Sequence, residues 1–255
     1  MVQTYHLNSK YYVDSEYFGM PGSVYFGAHN GVFRMTPAKH QSTCWEFDPR
    51  RRPWFVAASS GPKDVVLVLD ISLHMDHGDR FNRTKEAAIM VIDTLTVVNT
   101  IAVIVFNETA VVLGNDQYLI PATEANKNNI KNTIKSLKAG GTNNFTNAFN
   151  ETFNILHNSI PNGHTAAREC NVAIIFLSEG SLPEQSQDDL VQATDELTEF
   201  VQDGVDNFKA TYFDRNVTIF TYTLGDESNV DVMKRIACNT NGIWTHISDD
   251  ESENL

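Results

Sequence analysis

From Asp64 onward the apolar and polar positions follow two alternating rhythms. DVVLVLD (64–70) is short and almost wholly apolar, and TIAVIVFN (100–107), NVAIIFLSEG (171–180) and NVTIFTYTLGD (216–226) are further strand-like runs. That pattern predicts strands covered on both faces rather than one. Between them the apolar positions recur at helical spacing. Residues 80–98 carry Ala88, Val91, Ile92 and Leu95 on one stripe, and 143–158 carry Phe145, Phe149 and Leu156. Residues 123–138, the run 188–208 and a short stretch from Asp231 to Cys238 are further predicted helices. TAVVLG (109–114), close behind a strand, predicts a hairpin, and GIWTHIS (242–248) a last strand. Strands alternating with helices predict a doubly wound α/β fold with a mainly parallel sheet.

The first sixty residues have a different texture. YFGMPGSVYFGAHNGVFRMTP (17–37) and WEFDPRRRPWF (45–55) break short strand-like segments with Gly and Pro, as a meandering antiparallel sheet does. ASSGPKD (58–64) reads as the hinge, which divides the chain into 1–62 and 63–255. A piece as short as the first is poorly placed to bury a core by itself.

Charge narrows the functional classes. The net charge of −13 argues against nucleic acid and anionic membrane surfaces and suits a protein that meets cations. Arg50, Arg51 and Arg52 are too few to make a phosphate-binding stripe. No apolar run is long enough to span a bilayer, and the start has no signal-peptide pattern. The three cysteines, Cys44, Cys170 and Cys238, lie far apart without metal or redox spacing; an odd number fits free thiols or a bond to a segment outside this sequence. Five glycosylation sequons, at Asn82, Asn107, Asn144, Asn150 and Asn216, barely exceed the roughly three to four that chance gives and do not fix the compartment.

Candidate chemistry gathers at strand ends, where open α/β sheets bind ligands. Asp70 closes the first strand of the second part and Glu179 closes NVAIIFLSEG. A carboxylate ending an apolar strand requires a partner or an ion. KAGGTNNF (138–145) adds Thr142 on a tight glycine turn. Two carboxylates and several hydroxyls around one crevice suit a hard divalent cation such as Mg²⁺. Plainer roles exist for each: Ser72 and Thr142 as helix caps, His74 and His77 as solvated loop residues, Asp76 and Asp79 as turn formers. HMDH (74–77) has no third ligand or general base to pair with, and no phosphate loop or nucleophile elbow occurs, so the residues point away from an enzyme.

DVVLVLDISLHM, GGTN and LSEG together resemble the von Willebrand factor A domain with its metal-ion-dependent adhesion site. The resemblance implies a divalent cation, Mg²⁺ or Ca²⁺, with an open position that a partner protein's carboxylate completes. It implies a metal set of Asp70, Ser72, His74, Thr142 and Glu179. Asp70, Ser72 and Thr142 match the family pattern; His74 replaces a serine, Glu179 an aspartate, and Leu73 a small residue. Imidazole is a bulkier nitrogen donor and Glu is one methylene longer, so three outcomes stand open: weak Mg²⁺ or Ca²⁺ binding, a shift to a softer metal, or no metal at all.

FDPRRRPWFVAA (47–58), with NGVFRMTPA (30–38) upstream, is similar to extracellular Cache domains. A partial Cache α+β segment running directly into an A domain resembles the alpha-2-delta auxiliary subunits of voltage-gated calcium channels and related Cache/A-domain proteins. That resemblance implies an extracellular interaction module, non-catalytic, with further Cache segments elsewhere in a longer chain and a protein partner on the metal face. It implies Arg52 and Trp54 as holders of a small amino-acid ligand, and a disulfide from Cys238 to a distant segment.

Overall fold

The computed structural model describes residues 24–27, 33–36, 61–114, 117–166, 171–182, 186–213, 215–225 and 230–249. The chain divides into two compact units, Met1–Gly61 and Pro62–Leu255. In the first, β1 (Val24–Gly27) and β2 (Phe33–Thr36) form an antiparallel pair. Arg52, Trp54 and the arginine cluster lie outside the described residues.

The second unit is built on a seven-stranded sheet. Its strands are β3 (Asp64–Asp70), β4 (Thr100–Phe106), β5 (Ala110–Leu113), β6 (Ile120–Pro121), β7 (Val172–Ser178), β8 (Val217–Leu224) and β9 (Trp244–Ile247). They run in the order β5-β4-β3-β7-β8-β9, with β6 paired to β4. The central pairings are parallel; β5 and β6 run antiparallel to β4. This is the mainly parallel α/β sheet that the apolar runs predict, including the β4–β5 hairpin.

Alternation along β3 explains why its sequence is apolar throughout. Val66 and Val68 pack into one core layer with Phe106, Phe149 and Phe176, whereas Val65, Leu67 and Leu69 pack into a second with Ile92 and Ile134. The first layer lies under α3 (Phe145–Ser159), α4 (Gln187–Thr211) and α5 (Val230–Asn239). The second lies under α1 (Arg80–Thr94) and α2 (Glu124–Ser136). A strand between two apolar layers has no polar face to show.

Helix α1 stops at Thr94, four residues before the predicted 98, for a tertiary reason. Leu95 folds its N–H back to Ile92 O, and its own carbonyl accepts from the buried Lys127 ammonium of α2 at 3.1 Å. In return Lys85 of α1 donates to Leu137 O beyond α2 at 2.6 Å. Each helix thus supplies a cation to the other's C-terminal carbonyl, where the helix dipole favours it.

His157 on α3 gives the fold a pH dependence. Its ring lies beside Phe208 and Tyr212, and burial lowers its pKa from the ordinary imidazole value. The proton therefore binds the unfolded chain better than the folded one. The stability linked to this neutral ring is complete above the ordinary value of about 6.5 and is lost as pH falls through the folded value. Melting at pH 5 and pH 7.5 is expected to show a lower midpoint in acid, and His157→Gln is expected to narrow the gap.

Candidate metal and partner site

The chain reverses direction in the sheet between β3 and β7: β4 follows on one side of β3, and β7, reached later, lies on the other. The carboxyl ends of these two neighbours deliver Asp70 and, one residue beyond β7, Glu179. Asp70 is fully buried and Glu179 nearly so. Asp70 Oδ1 accepts from Ser72 N at 2.8 Å and Oδ2 from the Ser178 hydroxyl at 2.6 Å, while Gly180 N donates to Ser178 Oγ at 3.0 Å. Burial raises the Asp70 pKa above the ordinary carboxylate value; Ser178 and Ser72 pull it back, and the neighbouring Glu179 charge pushes it up. These two hydrogen bonds do not fully replace the water this carboxylate gives up.

Beyond β3 the chain makes one 3₁₀ turn, Leu73–Asp76, pinned by the buried Met75. Ser72 precedes this turn, but its side chain accepts no capping hydrogen bond. The Gly140–Gly141 loop is stitched to the same place: Gly140 N donates to Ile71 O, Leu73 N donates to Gly141 O, both at 2.8 Å, and Asn107 Nδ2 donates to Gly140 O at 3.0 Å. Gly141 has φ +80°, open to glycine at no steric cost. The loop holds Thr142 exposed at the rim. Thr142 does not cap the next helix: α3 is capped by Asn144, whose side chain accepts from Asn147 N at 3.0 Å.

A crevice of about 630 Å³ opens between these segments, lined by Leu73, His74, Asp76, His77, Arg80, Gly141, Thr142 and Glu179. The structure therefore brings four of the five residues in the predicted metal set (His74, Thr142 and Glu179 on the wall, Asp70 beneath) to one end of the sheet, and Ser72 joins them at the start of the turn. His74 Nδ1 stands 3.4 Å from Glu179 Oε1. Among the described residues, two buried side-chain atoms make no hydrogen bond, Ser72 Oγ and Glu179 Oε1. Among the described residues no three His, Cys, Asp or Glu side chains gather as a metal-holding set.

Arg80, Asp249, Ser178 and Gly225 belong to the site and were not singled out by sequence. Arg80 opens α1, is nearly buried, and reaches Glu179 Oε2 at 3.5 Å with Nη1. Its Nε donates to Asp249 Oδ1 at 2.8 Å and its Nη2 to Asp249 Oδ2. The guanidinium lies against Gly225, where a Cβ would fall 2.1 Å from Cζ. One signal was present: a cation in the first turn of a helix sits against the dipole and needs local carboxylates to hold it there. Cys238 is exposed on α5 and has no disulfide partner among the described residues.

A parallel sheet with a carboxylate-lined crevice at its topological switch defines a ligand- or partner-binding α/β domain. The chain belongs to the von Willebrand factor type A domain family, whose sequence profile matches residues 64–255. It is 29% identical over 231 residues to the voltage-dependent calcium channel subunit alpha-2/delta-2 of Mus musculus, covering 87% of this chain and 18% of that protein. It is 30% identical over 233 residues to the alpha-2/delta-3 subunit of Homo sapiens, covering 88% of this chain and 19% of that one. The chain thus spans about a fifth of these relatives' length. Residues 64–255 are three quarters of the chain, so a match covering 87% of it reaches back into the first unit. Among solved structures, a von Willebrand factor type A protein from Catenulispora acidiphila shares the fold at TM-score 0.58 and 21% identity, over 74% of this chain and 39% of that one. No helix among the described residues is long and apolar enough to cross a membrane.

Proposed function

We propose that this chain is a non-catalytic, extracellular interaction module of a longer protein, an auxiliary part of a channel complex like the alpha-2/delta subunits it is similar to. Its partner docks at the crevice between β3 and β7. The observation that carries this reading is the pair of buried oxygens at the strand ends that make no hydrogen bond, Ser72 Oγ and Glu179 Oε1. Buried polar atoms are seldom left without a partner, and each such atom is costly unless something external completes it. A divalent cation reaching both would complete them. Asp70, Ser72, His74, Thr142 and Glu179 would hold it, and the ion would supply a Lewis-acidic position for a partner's carboxylate. The set departs from an all-oxygen shell at His74, and in that sense the adhesion site is altered.

The test is binding to the pore-forming subunit of a voltage-dependent calcium channel, co-expressed with the full-length protein. Asp70→Ala with Thr142→Ala is expected to reduce co-purification and surface delivery of the channel at least tenfold, with the circular dichroism of the purified domain unchanged. Undiminished complex formation by the double variant would remove the crevice from the interaction.

The first unit supports a second reading, because the match to the alpha-2/delta subunits extends into it. Under this reading Met1–Gly61 is part of a Cache domain in which Arg52 grips the carboxylate of a small amino acid and Trp54 shelters its ammonium group. Cys238 then tethers the A domain to a later segment. Calorimetry of the full ectodomain against a panel of amino acids, with and without Arg52→Ala, decides it.

A further inference from the structure

We infer that Asn216 carries an N-linked oligosaccharide whose first sugar lies on the Phe213 ring, at the end of the sheet away from the crevice. The inference rests on one part of the reading above, that the chain is extracellular, because such oligosaccharides are attached to surface positions of secreted chains. Asn216 is exposed, stands immediately before β8, and makes no side-chain hydrogen bond among the described residues. Its backbone is fixed from both sides. Asn216 O accepts from Val172 N at 2.8 Å, and the preceding Arg215 is buried against Asp64. Residues two apart at the entry to a strand project to one side, so Thr218 shares the side of the Asn216 amide.

The other four sequons are compromised by the fold. Asn82 and Asn150 lie within helices, where residues two apart do not face each other. Their hydroxyls are also taken: Thr84 Oγ1 donates to Arg80 O at 3.0 Å and Thr152 Oγ1 to Ala148 O at 2.8 Å. Asn107 Nδ2 donates to Gly140 O at 3.0 Å, and a Cβ on Gly141 would lie 3.1 Å from it, so that nitrogen is walled in by the crevice loop. Asn144 caps α3 through Oδ1, two residues from Thr142, where an oligosaccharide would obstruct the rim.

Phe213 is the second, independent observation. It is 85% exposed, the most of any large hydrophobic residue described. Arg215 N donates to Tyr212 O at 3.0 Å, which places Phe213 on a turn three residues before Asn216. With Ile160, Pro161 and Gly163 it lines a cavity of about 400 Å³. A pyranose ring has an apolar face of C–H groups, and laying it on the phenyl ring removes both from water. Attachment joins Asn216 Nδ2 to the anomeric carbon of an oligosaccharide carried on a lipid diphosphate. The anomeric C–O bond breaks, the lipid diphosphate leaves, and the amide gives up one proton.

The experiment is expression of the full-length protein in cultured animal cells, with its delivery to the cell surface or medium measured by biotinylation and immunoblotting. Enzymatic deglycosylation in heavy-oxygen water then marks each occupied asparagine as a labelled aspartate for peptide mass spectrometry. Asn216 is expected to be marked in most delivered molecules and Asn107 in almost none. Asn216→Gln is expected to remove one oligosaccharide and to lower the melting midpoint by a few degrees, an effect largely lost in a Phe213→Ala background. Delivered protein with Asn216 unmarked overturns the inference and leaves the extracellular reading standing. Protein that is never delivered and has all five asparagines unmarked overturns both. Equal effects of Asn216→Gln in the two backgrounds overturn the stacking on Phe213.

Discussion

Arg215→Ala is expected to lower stability by about 3 kcal/mol. Asp64, at the opposite end of β3 from the crevice, is fully buried. It accepts from Arg215 Nη1 at 2.7 Å, from the Thr100 hydroxyl at 2.6 Å and from Ala166 N at 2.7 Å. Removing the guanidinium leaves the carboxylate buried with two neutral donors and no opposite charge, which is far costlier than never having had the pair. Adding Asp64→Asn should return much of the loss, because the charge then disappears with its partner. Urea unfolding of the two variants checks both statements; equal midpoints for Arg215→Ala and wild type would remove the ion pair from the account of stability.

Gly225→Ala is expected to cost about 2–4 kcal/mol through overpacking and backbone strain together. Gly225 has φ +100°, and its missing side chain is the seat of the Arg80 guanidinium. An alanine there strains the backbone and expels the guanidinium from between Glu179 and Asp249. The second part of the cost depends on Arg80, so a double-mutant cycle isolates it. In an Arg80→Ala background the same substitution should cost clearly less. Additive effects would mean that the two residues do not share the space.

The fold was legible because its signal is redundant. β3 and β4 are nearly unbroken apolar runs, which a two-sided core explains, and the helices carry stripes such as Phe145, Phe149 and Leu156, all buried. The site was legible only in part. Asp70 and Glu179 stand out as carboxylates ending apolar strands, and their convergence follows from the sheet order. Arg80 and Asp249 do not stand out, because their pairing joins positions 169 residues apart in sequence. Thr142 could be read as a helix cap until Asn144 was found doing that work. The end of α1 depends on Lys127 of another helix, a contact that no local pattern encodes.

The Arg80–Asp249 pair ties the candidate site to the segment that follows β9, the last strand described. The guanidinium that steadies Glu179 therefore also anchors the chain where it leaves the sheet. Tension or displacement applied to that departing segment would act first on Asp249, then on Arg80, and so on the orientation of Glu179. In the docking reading proposed above, the grip of the crevice on a partner is thus linked mechanically to the segment that follows β9.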